Sequence, residues 1–173
     1  MKTYNLEEIK ELSKNSKNYI YDDDNENKVY SIEEFDKAKT RILKYIFYKK
    51  RTESEVRKKF YKEYKEEIID DVIEDLKENG YINDENYITR AIDEFIALKN
   101  LSIREVKYKL IAKGINSNDI DTYIDNNYDR IMEYEKQSAK NIINKKSSQM
   151  EPQDIKIYLM KKGYREESIK ENF

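Results

Sequence analysis

Three short segments of this chain are copies of one another. Glu55-Val56-Arg57-Lys58-Lys59-Phe60 superposes on Glu105-Val106-Lys107-Tyr108-Lys109-Leu110 at an offset of 50, and that segment on Asp154-Ile155-Lys156-Ile157-Tyr158-Leu159 at an offset of 49. Each reads acid, aliphatic, basic, two variable positions, large apolar. The match continues downstream, where Ile69-Asp70-Asp71-Val72-Ile73 pairs with Ile120-Asp121-Thr122-Tyr123-Ile124 and the third copy reaches Ile169. Between the two blocks the second and third copies carry Ala112-Lys113-Gly114-Ile115 and Lys161-Lys162-Gly163-Tyr164, whereas the first has Lys62-Glu63-Tyr64, no glycine, and one residue fewer. A repeat of this length dictates small stacked units, each with its own thin core.

Within each copy the apolar spacing is helical. Phe35, Ala38, Ile42, Leu43 and Ile46 recur at three and four over residues 32–49, giving one buried stripe. Thr52-Glu53-Ser54-Glu55 has the form of a capping box and starts a second helix, with Val56 and Phe60 inward. A third, over 66–79, carries Ile69, Val72, Ile73 and Leu76, and Gly80 ends it. The second copy repeats the punctuation: Asp84 caps a helix holding Ile88, Ala91, Ile92 and Phe95, Ser102-Ile103-Arg104-Glu105 is a second capping box, Gly114 is a stop, and Ser117 or Asn118 a restart. The third opens near Asp129, crosses a polar Lys146-Ser147-Ser148-Gln149 linker, restarts at Pro152 and stops at Gly163. With three glycines and one proline in 173 residues there is little turn chemistry for sheets. The expected fold is all-α: three tandem three-helix modules at 34–82, 83–128 and 129–173, in an elongated or crescent arrangement. A short irregular N-terminal extension, 1–33, precedes them, with a short helix around Leu6, Ile9 and Leu12 and a hairpin flanking Asp22-Asp23-Asp24.

The chain has no cysteine and no histidine, which removes disulfides, thiolate nucleophiles, imidazole bases and nearly every transition-metal site. It has no glycine-rich phosphate loop and no nucleophile motif, so neither enzymatic activity nor a cofactor or metal is expected. No apolar stretch is long enough for a membrane span, and the first residues lack the apolar core of a signal peptide; a cytoplasmic monomer is expected.

The net charge of −2 conceals a segregation. Residues 37–65 hold twelve Lys and Arg against three acids, and residues 66–85 hold nine acids against one Lys. Two readings stand side by side: a basic face for an acidic or phosphate-rich partner, or neighbouring helix faces that attract one another. On the second helix of module one, Arg57, Lys58 and Lys59 share a turn, Arg51 and Lys62 flank them, and Tyr48, Tyr61 and Tyr64 are interleaved, a pattern suited to phosphates and base stacking. In module two Arg104, Lys107, Lys109 and Lys113 occupy the corresponding helix, and Arg90 the one before it. The acidic run Glu66, Glu67, Asp70, Asp71, Glu74, Asp75 and Glu78 reads as a solvated helix face, with contact to a basic protein surface as the alternative; it lacks the alternating ligands and glycine turn of a calcium loop.

Arg51-Thr52-Glu53-Ser54-Glu55-Val56-Arg57-Lys58-Lys59-Phe60, Gly80-Tyr81-Ile82-Asn83-Asp84 and Leu110-Ile111-Ala112-Lys113-Gly114-Ile115, in this order and spacing, resemble the RecX family of regulators of the RecA recombinase. The resemblance covers residues 35–173 and is densest over 41–127; Ser102 stands where the family usually has glycine. It implies a non-catalytic protein of DNA recombination, DNA repair and the SOS response that lies in the groove of the RecA filament, inhibits RecA ATP hydrolysis, filament growth and strand exchange, and contacts single-stranded DNA. The residues expected to carry partner or DNA binding are Arg51, Arg57, Lys58, Lys59, Lys62, Arg90, Arg104, Lys107, Lys109 and Lys113. The competing expectation is a stand-alone DNA-binding protein of helix-turn-helix type.

Overall fold

The computed structural model of the chain describes residues 30–172; the short helix and hairpin expected near the N-terminus lie outside them. The described residues form nine helices and no strand, divided between two compact units, Met1–Asn83 and Asp84–Phe173.

In the first unit α1 (Ile32–Tyr48), α2 (Glu53–Phe60) and α3 (Glu66–Glu78) pack each on the other two. Local chemistry sets each start. The Ser31 hydroxyl accepts from the Glu34 N–H while the Glu34 carboxylate accepts from the Ser31 N–H, and Thr52 and Glu55 do the same at α2. The core is the apolar stripe of α1, Ala38, Ile42, Leu43 and Ile46, closed by Val56 and Phe60 from α2 and Val72 and Leu76 from α3. Burying an Ile or Leu of this kind contributes about 1.5–3 kcal/mol, and repeating it along three short helices suffices for a small unit. One ion pair is enclosed with them: Lys39 of α1 lies 2.7 Å from Asp75 of α3, both almost fully buried. Asp75 is therefore not on the solvated face that the spacing of the acidic run suggests.

The second unit contains α4 (Asp84–Leu98), α5 (Ile103–Ile111), α6 (Ser117–Asn126), α7 (Tyr128–Lys146), α8 (Pro152–Lys162) and α9 (Glu166–Lys170). Helices α4 to α6 pack mutually around Ile88, Ile92, Val106, Leu110 and Ile120, and α7 to α9 around Ala139, Ile155, Leu159 and Ile169. The helix starts fall close to those expected: α6 begins at Ser117, capped by Asn116, whose side chain accepts from the Asn118 N–H at 2.8 Å, and Asp84 is the first residue of α4 rather than its cap. The polar stretch after α7 is a closed turn, since the Gln149 and Met150 N–H groups both donate to the Lys146 carbonyl and the Lys146 ammonium sits 4.3 Å from the Tyr158 ring centre.

The two helix sets of this unit are joined by a buried polar network. Glu135 of α7 is fully buried; it accepts from the Ile103 N–H at the start of α5 (2.7 Å), from the Arg165 N–H preceding α9 (3.2 Å) and from the Ser168 hydroxyl (2.9 Å). One carboxylate thus serves two helix N-termini, where its charge is favoured. Beside it Ser138 contacts the Tyr164 hydroxyl at 2.7 Å, and the Tyr134 hydroxyl accepts from the Leu101 N–H at 2.9 Å. Buried Ser102 both caps α5 and donates to the Lys162 carbonyl at 2.7 Å, tying the start of α5 to the end of α8.

Candidate functional site

The ten cations singled out by the sequence fall into two groups. The first is consumed by the fold. Arg57 lies on the side of α2 that faces α3: its Nε donates to Glu53 at 2.8 Å and its guanidinium bridges to Asp70. Burial works against its charge, but the hydrogen bonds it donates to Asp70 and Glu53 outweigh that and raise its pKa above the ordinary arginine value. Lys107, the equivalent residue of the second copy, bridges to Asp121, the equivalent of Asp70. The same ion pair thus recurs between the second and third helices of both copies. Arg51 is largely covered, 4.4 Å from the Tyr45 ring centre and 3.6 Å from Glu55, with its Nε buried and without a hydrogen-bond partner among the described residues. Lys113 is half-buried and engaged.

The second group faces water. Lys58, Lys59 and Lys62 are exposed on the outer face of α2 and the turn that follows, and Lys109 and Arg90 are exposed on α5 and α4. Among the described residues none of these five enters an ion pair. Lys62 instead lies 5.4 Å from the ring centre of Tyr61, itself exposed. Arg104 stands between the groups: exposed, it donates to the Lys161 main-chain carbonyl at 2.5 Å, which holds it in place without neutralising it. Cations fixed on short helices without acidic partners are what an anionic or carboxylate-bearing partner requires.

The two readings of the charge segregation therefore both have a share. Glu53 takes hydrogen bonds from Arg57 and Lys77, and these overcome its burial and hold its carboxyl below the usual range. Asp70, Asp75 and Asp71 are likewise engaged, by Arg57, Lys39 and the Tyr30 hydroxyl. Attraction between neighbouring helices accounts for these, and the outward lysines of α2 are what it leaves over.

Other chemistry is sparse. Among the described residues no three carboxylates come together as metal ligands, and no helix is long and apolar enough to cross a membrane. A recess in the second unit is lined by Ile92, Phe95, Ile96, Val106, Ile131 and Tyr134, apolar throughout except for the Tyr134 hydroxyl, which is committed to the chain at residues 99–101. It offers no acid, base or nucleophile to a substrate.

What the sequence reading missed lies in the third copy. Ile157 and Met160 of α8 are exposed, as are Tyr108 and Ile111 of α5. At offsets of 49 and 50, Tyr108 superposes on Ile157, and Tyr61, Ile111 and Met160 on one another, so the repeat itself carried the signal.

No family model matches the chain. It is 32% identical over 152 residues to the regulatory protein RecX of Finegoldia magna, covering 84% of this chain and 74% of that protein. To RecX of Clostridium beijerinckii it is 37% identical over 145 residues, 78% of this chain and 66% of the relative. The match to RecX of Lactococcus lactis subsp. lactis is 37% over 111 residues, and there the chain spans only 41% of the relative's length. The crystal structure of RecX from Lactobacillus salivarius superposes with a TM-score of 0.69 over 81% of this chain and 94% of that one, at 24% identity, which establishes the shared fold.

Proposed function

This chain belongs to the RecX family of regulatory proteins, and on that premise we propose that it is a non-catalytic, cytoplasmic regulator that binds in the groove of the RecA filament and inhibits RecA ATP hydrolysis, filament growth and strand exchange. The unit of repetition is the three-helix module, at 34–82, 83–128 and 129–173, and a monomer carrying three such modules suits a partner that repeats along its own axis. One observation carries the reading: Lys59 and Lys109 are equivalent residues of two copies, both exposed, both on the middle helix, both without an ion pair among the described residues. Lys58 and Lys62 add exposed cations to the first unit, and Arg90 and Arg104 to the second.

The mechanism is steric and electrostatic. The cations pair with carboxylates of the filament, or with phosphates of the single-stranded DNA inside it, and a filled groove hinders the subunit rearrangements that accompany hydrolysis and strand exchange. Arg57 and Lys107 act indirectly, by tying the second helix of each copy to the third, and Arg51 by its contacts with Tyr45 and Glu55.

The test is RecA-dependent ATP hydrolysis on single-stranded DNA with this chain added. Hydrolysis falls as the chain approaches stoichiometry with RecA; an unchanged rate at equimolar protein removes the inhibitory role.

A further inference from the structure

In the second unit the start of α5 is joined to the end of α8, and each helix has a side open to water. On α5 the positions open to water include Arg104, Tyr108, Lys109 and Ile111, and on α8 Ile157, Met160 and Lys161. Residues 104, 108 and 111 share one side of α5, and 157, 160 and 161 one side of α8. The start of α5 and the end of α8 meet where the Arg104 guanidinium reaches over Gly163 to the Lys161 carbonyl. Tyr108, Ile111, Ile157 and Met160 are 62%, 42%, 42% and 55% exposed. Four large apolar side chains, two on each of two helices joined end to end by this contact, leave more apolar surface in water than scattered single residues would. The charges between the two pairs and beside Tyr108, namely Arg104, Lys109 and Lys161, are positive and among the described residues none is paired with an acid, while Asp154 is the one exposed acid on either helix, a turn before Ile157 at the far end.

We propose that this stripe, Ile157 and Met160 followed by Tyr108 and Ile111, is a protein-docking surface whose partner offers apolar recesses with carboxylates beside them. The charges select an acidic partner. The side chains select protein over nucleic acid, because Ile and Met neither stack on bases nor neutralise phosphates, and nucleic-acid interfaces are more polar and more basic than this one. The assignment rests on the filament reading above and deepens it: the second unit holds the filament's protein, while the lysines of α2 add charge.

The full chain is tested with RecA filaments on poly(dT) in a slowly hydrolysed ATP analogue, and with a bare dT oligomer. Ile157→Ser with Met160→Ser, and separately Tyr108→Ser with Ile111→Ser, remove exposed side chains, so the circular dichroism and Tm stay those of the unaltered chain. Filament affinity falls at least about tenfold in each double variant, while dT affinity stays within about twofold. If the unaltered chain does not bind filaments, the filament reading falls and this assignment with it. If it binds and both variants bind equally well, the stripe alone is overturned. Loss of dT affinity in step with filament affinity makes the stripe a nucleic-acid surface and overturns the assignment too.

Discussion

Replacing Glu135 tests how the second unit is held together. Its carboxylate accepts three hydrogen bonds while fully buried, two of them from main-chain N–H groups at the starts of α5 and α9. Leucine at this position fills similar space but leaves the Ile103 N–H, the Arg165 N–H and the Ser168 hydroxyl without their acceptor. Each buried group so stranded costs about 1–3 kcal/mol. The Ile103 site is the more enclosed and bears the full cost; the Arg165 site is partly wet, and the hydroxyl is free to turn. Returning the cost of burying a carboxylate offsets some of the loss, so Glu135→Leu destabilises by about 3 kcal/mol. Glutamine keeps one acceptor but directs an amide donor at the other side, and costs about 1–2 kcal/mol. Set against a typical total of about 5–15 kcal/mol, the leucine variant is marginal. Urea unfolding followed by far-ultraviolet circular dichroism gives the order Glu, Gln, Leu, and amide exchange at Ile103 and Arg165 quickens first. A leucine variant as stable as the parent would refute the reasoning, because the carboxylate would then be tolerated rather than required.

Gly163 has φ +87°, and a Cβ there would lie 2.1 Å from Nε of Arg104; Gly163→Ala costs about 1–2 kcal/mol from the left-handed backbone and the displaced arginine, and the cost shrinks in an Arg104→Ala background when both are measured by urea unfolding. Arg57→Ala lowers stability by up to about 1 kcal/mol through its lost pairs with Glu53 and Asp70, whereas Lys58→Ala stays within about 0.5 kcal/mol; the reverse order would undo the division between fold-holding and outward cations. Burial raises the pKa of Tyr164 and Tyr134 above the ordinary 10.0. A phenol that resists ionisation only when folded leaves stability intact below pH 10 and lost progressively above it. Tm measured from pH 8 to 11 therefore falls past pH 10, less steeply in Tyr164→Phe; a curve flat to pH 11 contradicts this.

Much of the helix architecture was legible because its signals are local. Thr52 with Glu55 and Ser102 with Glu105 are capping boxes readable at a spacing of three, and the stripe Ala38, Ile42, Leu43, Ile46 is one face of a helix at any resolution of thought. The binding face was legible only as a cluster. Arg57 and Lys58 are neighbours in sequence, but a helix turns 100° between them, so one meets Asp70 and the other meets water. Asp75 and Glu135 were hidden for the opposite reason: each is one acid among many. Glu135 had a faint signal, standing four residues after Ile131 and four before Ala139 in the buried row of α7, where a carboxylate persists only with partners. Those partners, Ile103 and Arg165, are 32 and 30 residues away, and no local pattern names them.

The outward lysines of α2 and of the turn after it supply the first unit's share of the charge on which the proposed regulation draws. RecA-dependent ATP hydrolysis on single-stranded DNA, titrated with the parent chain and with Lys58→Glu, Lys59→Glu and Lys62→Glu combined, isolates them, since all three are exposed and the fold survives their reversal. The parent suppresses hydrolysis near stoichiometry, and the reversed chain, still folded, needs at least about tenfold more protein for the same effect. Equal inhibition by the two chains would contradict it.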